Sequence, residues 1–190
     1  MKCLPVVAIV CVFLLAACST LKGAGTLPPL PLLPPADLGK HVQLSQRVMV
    51  TFADQSQTFL GAWVASAERL DFVGLTPSGQ RLLSLSYDSQ HFSEHYSSLM
   101  EDPIPGREVL SHLQLANWPR ASIERQLEMT DWRLAQSDGE RRLYFKDNLI
   151  LTITASYTED DDGKLPAAIR IRSHVAPYVL EVETLQVVEK

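Results

Sequence analysis

Hydrophobic residues alternate with polar ones in short runs along most of the chain, beginning near residue 41. In the first run Val42, Leu44, Val48 and Val50 share one face, and most positions between them are polar. Such period-two alternation is typical of a half-buried β-strand. Turn-forming residues, such as those at 76–79, separate the runs. The pattern predicts an antiparallel meander of five strands, at residues 41–52, 57–66, 70–75, 82–87 and 90–97.

The alternation stops near residue 98, where a helical pattern replaces it. Apolar residues at 3.6-residue spacing predict a helix over residues 106–117. A second helix is predicted to begin near Pro119, with Asn117 as its cap. Both helices are short, so they need to pack on a sheet to persist. The preceding loop carries apolar side chains that we expect to be exposed, namely Leu99, Met100 and Ile104.

Strand patterns resume after the helices and predict a second meander, at residues 132–135, 141–145, 149–155, 167–174 and 178–188. About ten short antiparallel strands with two inserted helices indicate a mainly β, α+β fold. We expect a strongly curved antiparallel sheet or an open β-barrel whose concave face is covered by the helices. A flat sandwich with a solid core fits the same pattern.

A curved sheet beneath two helices would enclose a cavity. The predicted strand at residues 57–66 is apolar on both faces, which indicates that it is covered on each side. The large side chains of Trp63, Trp118 and Trp132 suit either core packing or a cavity wall. We expect the cavity to be lined by Phe59, Trp63, Phe72, Leu83, Leu85, Leu110, Leu113 and Trp118.

The first 17 residues have the layout of a secretory signal peptide, with Lys2 ahead of an apolar run at residues 6–15 and then small residues. The run is about ten residues long, whereas a membrane-spanning helix needs about 20. Cys18 follows Leu-Ala-Ala directly, and this arrangement resembles the lipobox of bacterial lipoproteins. The resemblance implies that residues 1–17 are removed and that Cys18 is acylated on its thiol and on its new amino group.

Residues 18–37 are rich in proline and are predicted to form a semi-rigid tether. At about 3.1 Å per residue, such a segment could hold the domain up to roughly 50 Å from the membrane. The remaining residues, 38–190, are predicted to form a single domain. A passive spacer is the interpretation that the composition favours, although a partner that recognises proline-rich segments would also suit it.

Charge and cysteine content exclude several classes of function. The formal net charge is −5 and no basic stripe occurs, which argues against nucleic-acid binding. Cys3 and Cys11 would leave with the signal peptide and Cys18 would carry lipid, so no thiol would remain for a disulfide, a zinc site or a nucleophile. No nucleophile elbow, P-loop or dinucleotide fingerprint occurs. We therefore expect no enzyme, no catalytic residue and no cofactor.

Two segments resemble metal sites in part. His91 to His95 match the H-x-x-E-H signature of some metalloproteases, but that chemistry needs a helix and the segment is predicted to be a strand. The acidic run at residues 159–163 resembles half of a calcium loop and lacks the loop's first Asp and last Glu. We expect a solvated strand and a solvated hairpin tip, and no bound metal.

Several segments together resemble one family: QTFL at residues 57–60, VGLTPSGQRL at 73–82 and LQLANWP at 113–119, behind a lipobox and a proline-rich tether. The family comprises uncharacterised bacterial outer-membrane lipoproteins whose genes often accompany aryl-polyene biosynthesis clusters. It is distantly similar to LolB, the outer-membrane lipoprotein receptor, and to its soluble partner LolA. Those proteins have an open β-barrel with a helical lid over an apolar cavity that receives acyl chains.

The resemblance implies an outer-membrane lipoprotein on the periplasmic face, and Ser19 after the lipidated cysteine agrees with that location. We expect a monomer that binds an acyl, lipoprotein or aryl-polyene chain and aids its transfer, with a LolA-like carrier as a possible partner. The loop with Leu99, Met100 and Ile104 would contact the membrane or the cargo. The alternative is a structural or assembly lipoprotein that binds another envelope protein.

Overall fold

A computed structural model describes residues 28–53, 55–100, 104–155 and 165–189. These residues form ten β-strands, two α-helices and a short 3₁₀ turn at Pro35–Leu38. The strands are β1 Val42–Phe52, β2 Gln55–Ala65, β3 Leu70–Leu75, β4 Arg81–Tyr87, β5 Phe92–Tyr96, β6 Trp132–Ser137, β7 Glu140–Phe145, β8 Asn148–Ala155, β9 Ala168–Ser173 and β10 Tyr178–Glu189. The helices are α1 Gly106–Asn117 and α2 Arg120–Leu127. The predicted signal peptide, Cys18, the first part of the tether and the acidic run at 159–163 lie outside the described residues.

All ten strands belong to one antiparallel sheet in the order β5-β4-β3-β2-β1-β10-β9-β8-β7-β6. The order consists of two five-strand meanders joined side by side. The joint is the pairing of β1 with β10, which runs from Val42 opposite Glu189 to Phe52 opposite Tyr178. A bulge between Ser45 and Gln46 bends this ladder. The predicted curved sheet is therefore confirmed, and the flat sandwich is not the fold.

The helices cover the concave face because of this topology. β5 and β6 are the two outer strands of the sheet, and the chain passes from one to the other through α1 and α2. The inner faces of the strands and helices meet in one apolar core. At its centre Trp63 of β2 and Trp118, which follows α1, stack with ring centroids 6.3 Å apart. Both tryptophans are almost fully buried.

The first helix is attached to the sheet at its N-terminus. The backbone N–H of Gly106 donates to Tyr96 Oη at 2.6 Å and to Glu94 Oε2 at 3.1 Å, and both acceptors belong to the edge strand β5. A carboxylate at this end also interacts favourably with the helix dipole. A Cβ at this position would lie 2.4 Å from Leu85 Cδ2, so any residue other than glycine would displace neighbouring side chains.

The C-terminal end of α1 is attached by a buried arginine. Arg141 of β7 is 1% exposed and donates from Nη1 to the carbonyls of Leu115, at 2.8 Å, and Trp118, at 3.0 Å. A cation that bonds the last carbonyls of a helix satisfies acceptors that have no partner within the helix. Sequence patterns alone placed Arg141 in a strand and gave no sign of this contact.

The proline-rich segment is not a free spacer in the part that the structure describes. Leu32, Leu33 and Leu38 are buried in the core. The fully buried side chain of Gln114 on α1 accepts from Leu33 N at 2.9 Å and donates to Leu33 O at 2.7 Å. The predicted end of the tether at residue 37 is thus too late. We call Pro28–Leu38 the strap, since it lies across both helices.

Further contacts of the strap involve α2 and the residues before it. Trp118 Nε1 donates to Pro34 O, and Gln126 Nε2 donates to Leu32 O. Arg125 forms an ion pair with Asp37 at 2.9 Å. The strap is held because its leucine side chains are buried and the carbonyls of Leu32, Leu33 and Pro34 accept side-chain donors from the helices and from Trp118.

Asn117 does not cap the second helix. It is the last residue of α1, and its Nδ2 donates to the carbonyl of Leu113 at 2.8 Å. The residue before α2 is Pro119, which supplies no side-chain cap. Proline at this position has no N–H that would need a partner, and its carbonyl accepts from the backbone N–H groups of Ser122 and Ile123.

We predict that Gln114→Ala destabilises the fold by about 2–4 kcal/mol, because it leaves the buried N–H and carbonyl of Leu33 without partners. Gln126→Ala is the matched control, since it removes one partly exposed bond to the strap at 3.2 Å. Urea unfolding measures both, and hydrogen exchange at Leu33 should accelerate only in the first variant. Equal stability of the two variants would contradict the role of Gln114.

Candidate functional site

A cavity of about 90 Å³ lies between α1 and the concave face of the sheet. Its floor is a cross-strand row in which Phe59, Val48, Val182 and Ile169 lie side by side on β2, β1, β10 and β9. Val50, Leu180 and Ile171 form the next row. The remaining lining residues are Gln46, Phe72, Ile104, Glu108, Val109, His112, Leu113, Ala116, Asn117 and Tyr178.

The sequence makes room for this wall with a glycine. Gly61 of β2 has no side chain, so the ring of Phe72 lies over it, and a Cβ there would be 3.2 Å from Phe72 Cε2. Phe72 thereby reaches the cavity from β3. The rest of the floor follows from ordinary strand alternation, since valine, leucine and isoleucine occupy every second position.

The residues predicted to line a cavity fall into two groups. Phe59, Phe72 and Leu113 line the observed cavity. Trp63, Leu83, Leu85, Leu110 and Trp118 lie in the packed core and do not line it. The reason is that Trp118 fills the space above β2 and β3 by stacking on Trp63, which leaves the open volume above β1, β10 and β9.

The three residues of the predicted cargo loop also lie in different environments. Ile104 lines the cavity, Met100 packs against the core, and Leu99 is exposed. Residues 101–103 lie outside the described part of the chain. Ile104 is connected to the sheet through its carbonyl, which accepts from Tyr96 Oη at 3.1 Å.

Sequence reasoning missed the contribution of the last two strands. Ile169 and Ile171 alternate with arginines, and Leu180 and Val182 alternate with outward residues. This signal was visible in the sequence and identified the apolar face of each strand. It did not reveal that β10 pairs with β1, which is what brings that face under α1.

A polar cluster of three side chains closes one end of the cavity. Tyr178 Oη donates to Glu108 Oε1 at 3.0 Å and lies 3.2 Å from His112 Nε2. Because the phenol gives its single hydrogen to Glu108, the Nε2–H of a neutral His112 donates to the phenol oxygen. Burial lowers the pKa of His112 to about 4, so the imidazole is neutral at pH 7. Burial and the nearby Glu108 raise the pKa of Tyr178, so the phenol stays protonated.

An open groove of about 600 Å³ lies on the other side of this cluster. Its walls are the start of the strap at Pro28–Leu30, the first turns of α1 and parts of β8, β9 and β10. Glu108, His112 and Tyr178 line both the groove and the cavity. The cluster therefore lies between the apolar cavity and the larger groove.

Of the two metal-like motifs, the segment from His91 to His95 lies in the described part of the chain. His91 directly precedes the exposed strand β5, and His95 lies within it. His91 Nδ1 lies 3.4 Å from Asp88 Oδ2. Across the described ranges, no group of three or more His, Cys, Asp or Glu side chains is placed to hold a metal ion. None of the helices in those ranges has the length and apolar character needed to cross a bilayer.

Comparison with protein families gives one match, which covers residues 43–186 and is described as a protein of unknown function, DUF3261. The chain belongs to the DUF3261 family. The matched range contains all of the strands apart from the ends of β1 and β10, together with both helices. A search of curated protein sequences gives no match.

Several solved structures are similar to this DUF3261 protein. A LolA superfamily protein from Nitrosomonas europaea is 10% identical with a TM-score of 0.42, over 83% of this chain and 93% of that one. A putative outer membrane lipoprotein-sorting protein domain from Vibrio parahaemolyticus is 10% identical with a TM-score of 0.43, over 80% and 86%. MucB in complex with MucA(peri) is 14% identical with a TM-score of 0.40, over 83% and 53%. These TM-scores lie below 0.5, which is too low to transfer a role to this chain.

We predict that the free energy of unfolding decreases from pH 6.5 towards pH 4 because of His112. The unfolded chain binds this proton near pH 6.5 and the folded chain only near pH 4, so acidification favours the unfolded state between these values. The full effect is about 3 kcal/mol. His112→Gln keeps a neutral donor for Tyr178, and its unfolding curves in urea should lack this part of the pH dependence. Parallel pH profiles for the two proteins would contradict the assignment.

Proposed function

We propose that this protein is a non-enzymatic, lipid-anchored binding protein that accepts an acyl chain in the cavity beneath α1. The observation that carries the proposal is the continuous apolar wall from β2 to β9, covered by an amphipathic helix. Transfer of a hydrocarbon chain from water to such a wall contributes about 25 cal/mol per Å² buried. No covalent chemistry is needed for this role.

The size of the cavity bears on how a chain would enter. Ligand pockets usually measure about 300–1,000 Å³, and this cavity measures about 90 Å³. An acyl chain therefore needs more volume than this cavity offers. The groove beyond Tyr178 supplies it, since rotation of that side chain would join the two spaces. Tyr178 is held by two hydrogen bonds to α1, whereas α1 is also attached to the sheet at both ends and to the strap in its middle.

The N-terminal segment supports the place of action that we propose. Acylation of Cys18 would anchor the protein at the outer membrane on its periplasmic side, and the strap would follow ten residues later. A monomer on this surface would receive an acyl, lipoprotein or aryl-polyene chain, for instance from a LolA-like carrier, and aid its insertion. Stable attachment by acyl chains takes about two lipid signals, which a fully acylated cysteine exceeds.

We predict that a diazirine-bearing dodecanoic acid crosslinks to residues of α1 and β10 when the full chain is held in lipid nanodiscs. Val182→Trp should reduce the crosslinking to background, because the indole would fill the row between Val48 and Ile169. Mass spectrometry of the labelled peptides measures the outcome. Melting temperatures verify that each variant remains folded.

Val179→Trp is the matched control for that experiment. It makes the same substitution in the same strand. Val179 lies between the cavity-lining residues Tyr178 and Leu180, so strand alternation directs it away from the cavity and labelling should persist. Equal labelling of both variants would overturn the cavity as the binding site. Absence of labelling in every protein, including the unmodified one, would overturn the acyl-binding function itself.

A second candidate function is favoured by the end of β10. β10 pairs with β9 only as far as Glu183, and among the described residues Leu185 lies at the bulge and the residues from Gln186 to Glu189 pair with β1 alone. Leu185, Val187 and Val188 in this segment are exposed apolar side chains. An apolar strand with an unpaired edge is suited to pairing with a strand of another envelope protein.

We predict for this second function that a photoreactive phenylalanine analogue at Val188 forms an adduct with another protein in cells. The same analogue at Arg133, an exposed position on the edge strand β6, is the control and should form none. Denaturing electrophoresis followed by mass spectrometry identifies the adduct. Adducts of equal yield at both positions, or at neither, would count against a docking role for β10.

A further inference from the structure

Asn117 presents an unused hydrogen-bond acceptor at the cavity. The residue lines the cavity from the last turn of α1, and its Oδ1 is buried without a hydrogen-bond partner. The orientation of the amide is fixed, because Nδ2 donates to Leu113 O at 2.8 Å and an exchanged oxygen would face another oxygen there. A buried acceptor without a partner costs about 1–3 kcal/mol.

The other polar side chains at the cavity have partners. Gln46 Oε1 accepts from Trp63 Nε1 at 3.0 Å, and its Nε2 donates to Thr184 Oγ1 at 3.3 Å. Tyr178 joins Glu108 and His112 as described above. Within the described part of the chain, Asn117 is thus the cavity-lining residue that has a buried polar side-chain atom without a partner. Nearly all buried polar groups in proteins have a partner, so this one indicates a missing donor.

We propose that the chain bound in this cavity carries a neutral hydrogen-bond donor, a hydroxyl or an amide N–H, which donates to Asn117 Oδ1. The inference rests on the proposed acyl-binding function and names the class of chain. In a site whose walls are mostly apolar, a single placed polar group fixes the orientation and identity of the ligand. A hydroxylated or amide-containing chain satisfies the acceptor, and a plain hydrocarbon leaves it unpaired.

The donor is neutral because the described part of the chain offers no counter-ion at this end of the cavity. Glu108 is the acidic residue that lines the cavity, and it precedes Asn117 by nine residues, or about 13 Å along the helix axis. Its carboxylate already accepts from Tyr178. An ammonium group beside Asn117 would be buried without a paired charge, which is far more costly than burial of a hydroxyl.

Competition against the diazirine probe tests this proposal with the full chain in nanodiscs. The competitors are dodecanoic acid, its β-hydroxy and ω-hydroxy derivatives, and N-decanoylglycine. One hydrogen bond is worth about 0.5–1.5 kcal/mol, so at least one donor-bearing competitor should be about three- to tenfold more effective than dodecanoic acid. The hydroxylated acids and the acylglycine distinguish a hydroxyl from an amide donor.

Asn117→Leu should abolish this preference, and Asn117→Ala provides a second variant in case leucine disturbs the fold. Partition of each competitor into the bilayer is the same for every variant, so ratios between variants report on the protein alone. Leu113→Met, on the same wall, is the matched control and should keep the preference. Melting temperatures verify that all three variants are folded.

The possible outcomes separate the two proposals. If both Asn117 variants lose the preference for donor-bearing competitors and Leu113→Met keeps it, the proposed hydrogen bond to Asn117 is supported. Equal competition by all four compounds against the unmodified protein would overturn it while leaving acyl binding intact, and a water molecule would then satisfy Oδ1. Failure of the probe to label the unmodified protein would overturn acyl binding first.

Discussion

The pairing of the first strand with the last is the constraint on which the rest of this structure depends. It joins two meanders into one ten-stranded sheet and leaves β5 and β6 as the outer strands. The helical connection must then cross the concave face to reach from one edge to the other. The same pairing brings the apolar faces of β1, β10 and β9 together beneath α1, so the cavity and its lid are both consequences of a single ladder.

Two polar contacts attach the lid to that sheet, and a third attaches it to the strap. Glu94 of β5 holds the N-terminus of α1 and Arg141 of β7 holds its C-terminus, whereas Gln114 in the middle of α1 holds Leu33 of the strap. Buried polar groups without partners are costly, so lifting the helix would expose all of these groups at once. The strap adds to this, since it is attached to Gln114 on one side and to α2 on the other. The cover is therefore a fixed part of the fold and not a loosely attached flap.

Local patterns in the sequence predicted the elements well and the site only in part. The helix over residues 106–117 was predicted with the same ends that the structure has, because its 3.6-residue period begins directly after a proline. The curved sheet followed from strand count and inserted helices. The position of the cavity did not follow, because no local pattern reveals which distant strands pair. Burial of Leu32 and Leu33 was missed because a proline-rich composition resembles a spacer, and Arg141 and Gln114 were missed because buried polar residues resemble surface residues in a sequence.

The entrance to the cavity follows from where attachment is weakest. Opening at α1 would break the contacts of Glu94 and Arg141 together, whereas opening at Tyr178 breaks two hydrogen bonds to Glu108 and His112. Both of those groups also line the outer groove, so they remain near solvent when the phenol moves. A side-chain rotation is fast and local compared with the movement of a packed helix. We therefore infer that a chain enters from the groove beside the strap, past Tyr178, while the helix stays in place and Asn117 receives it at the far end.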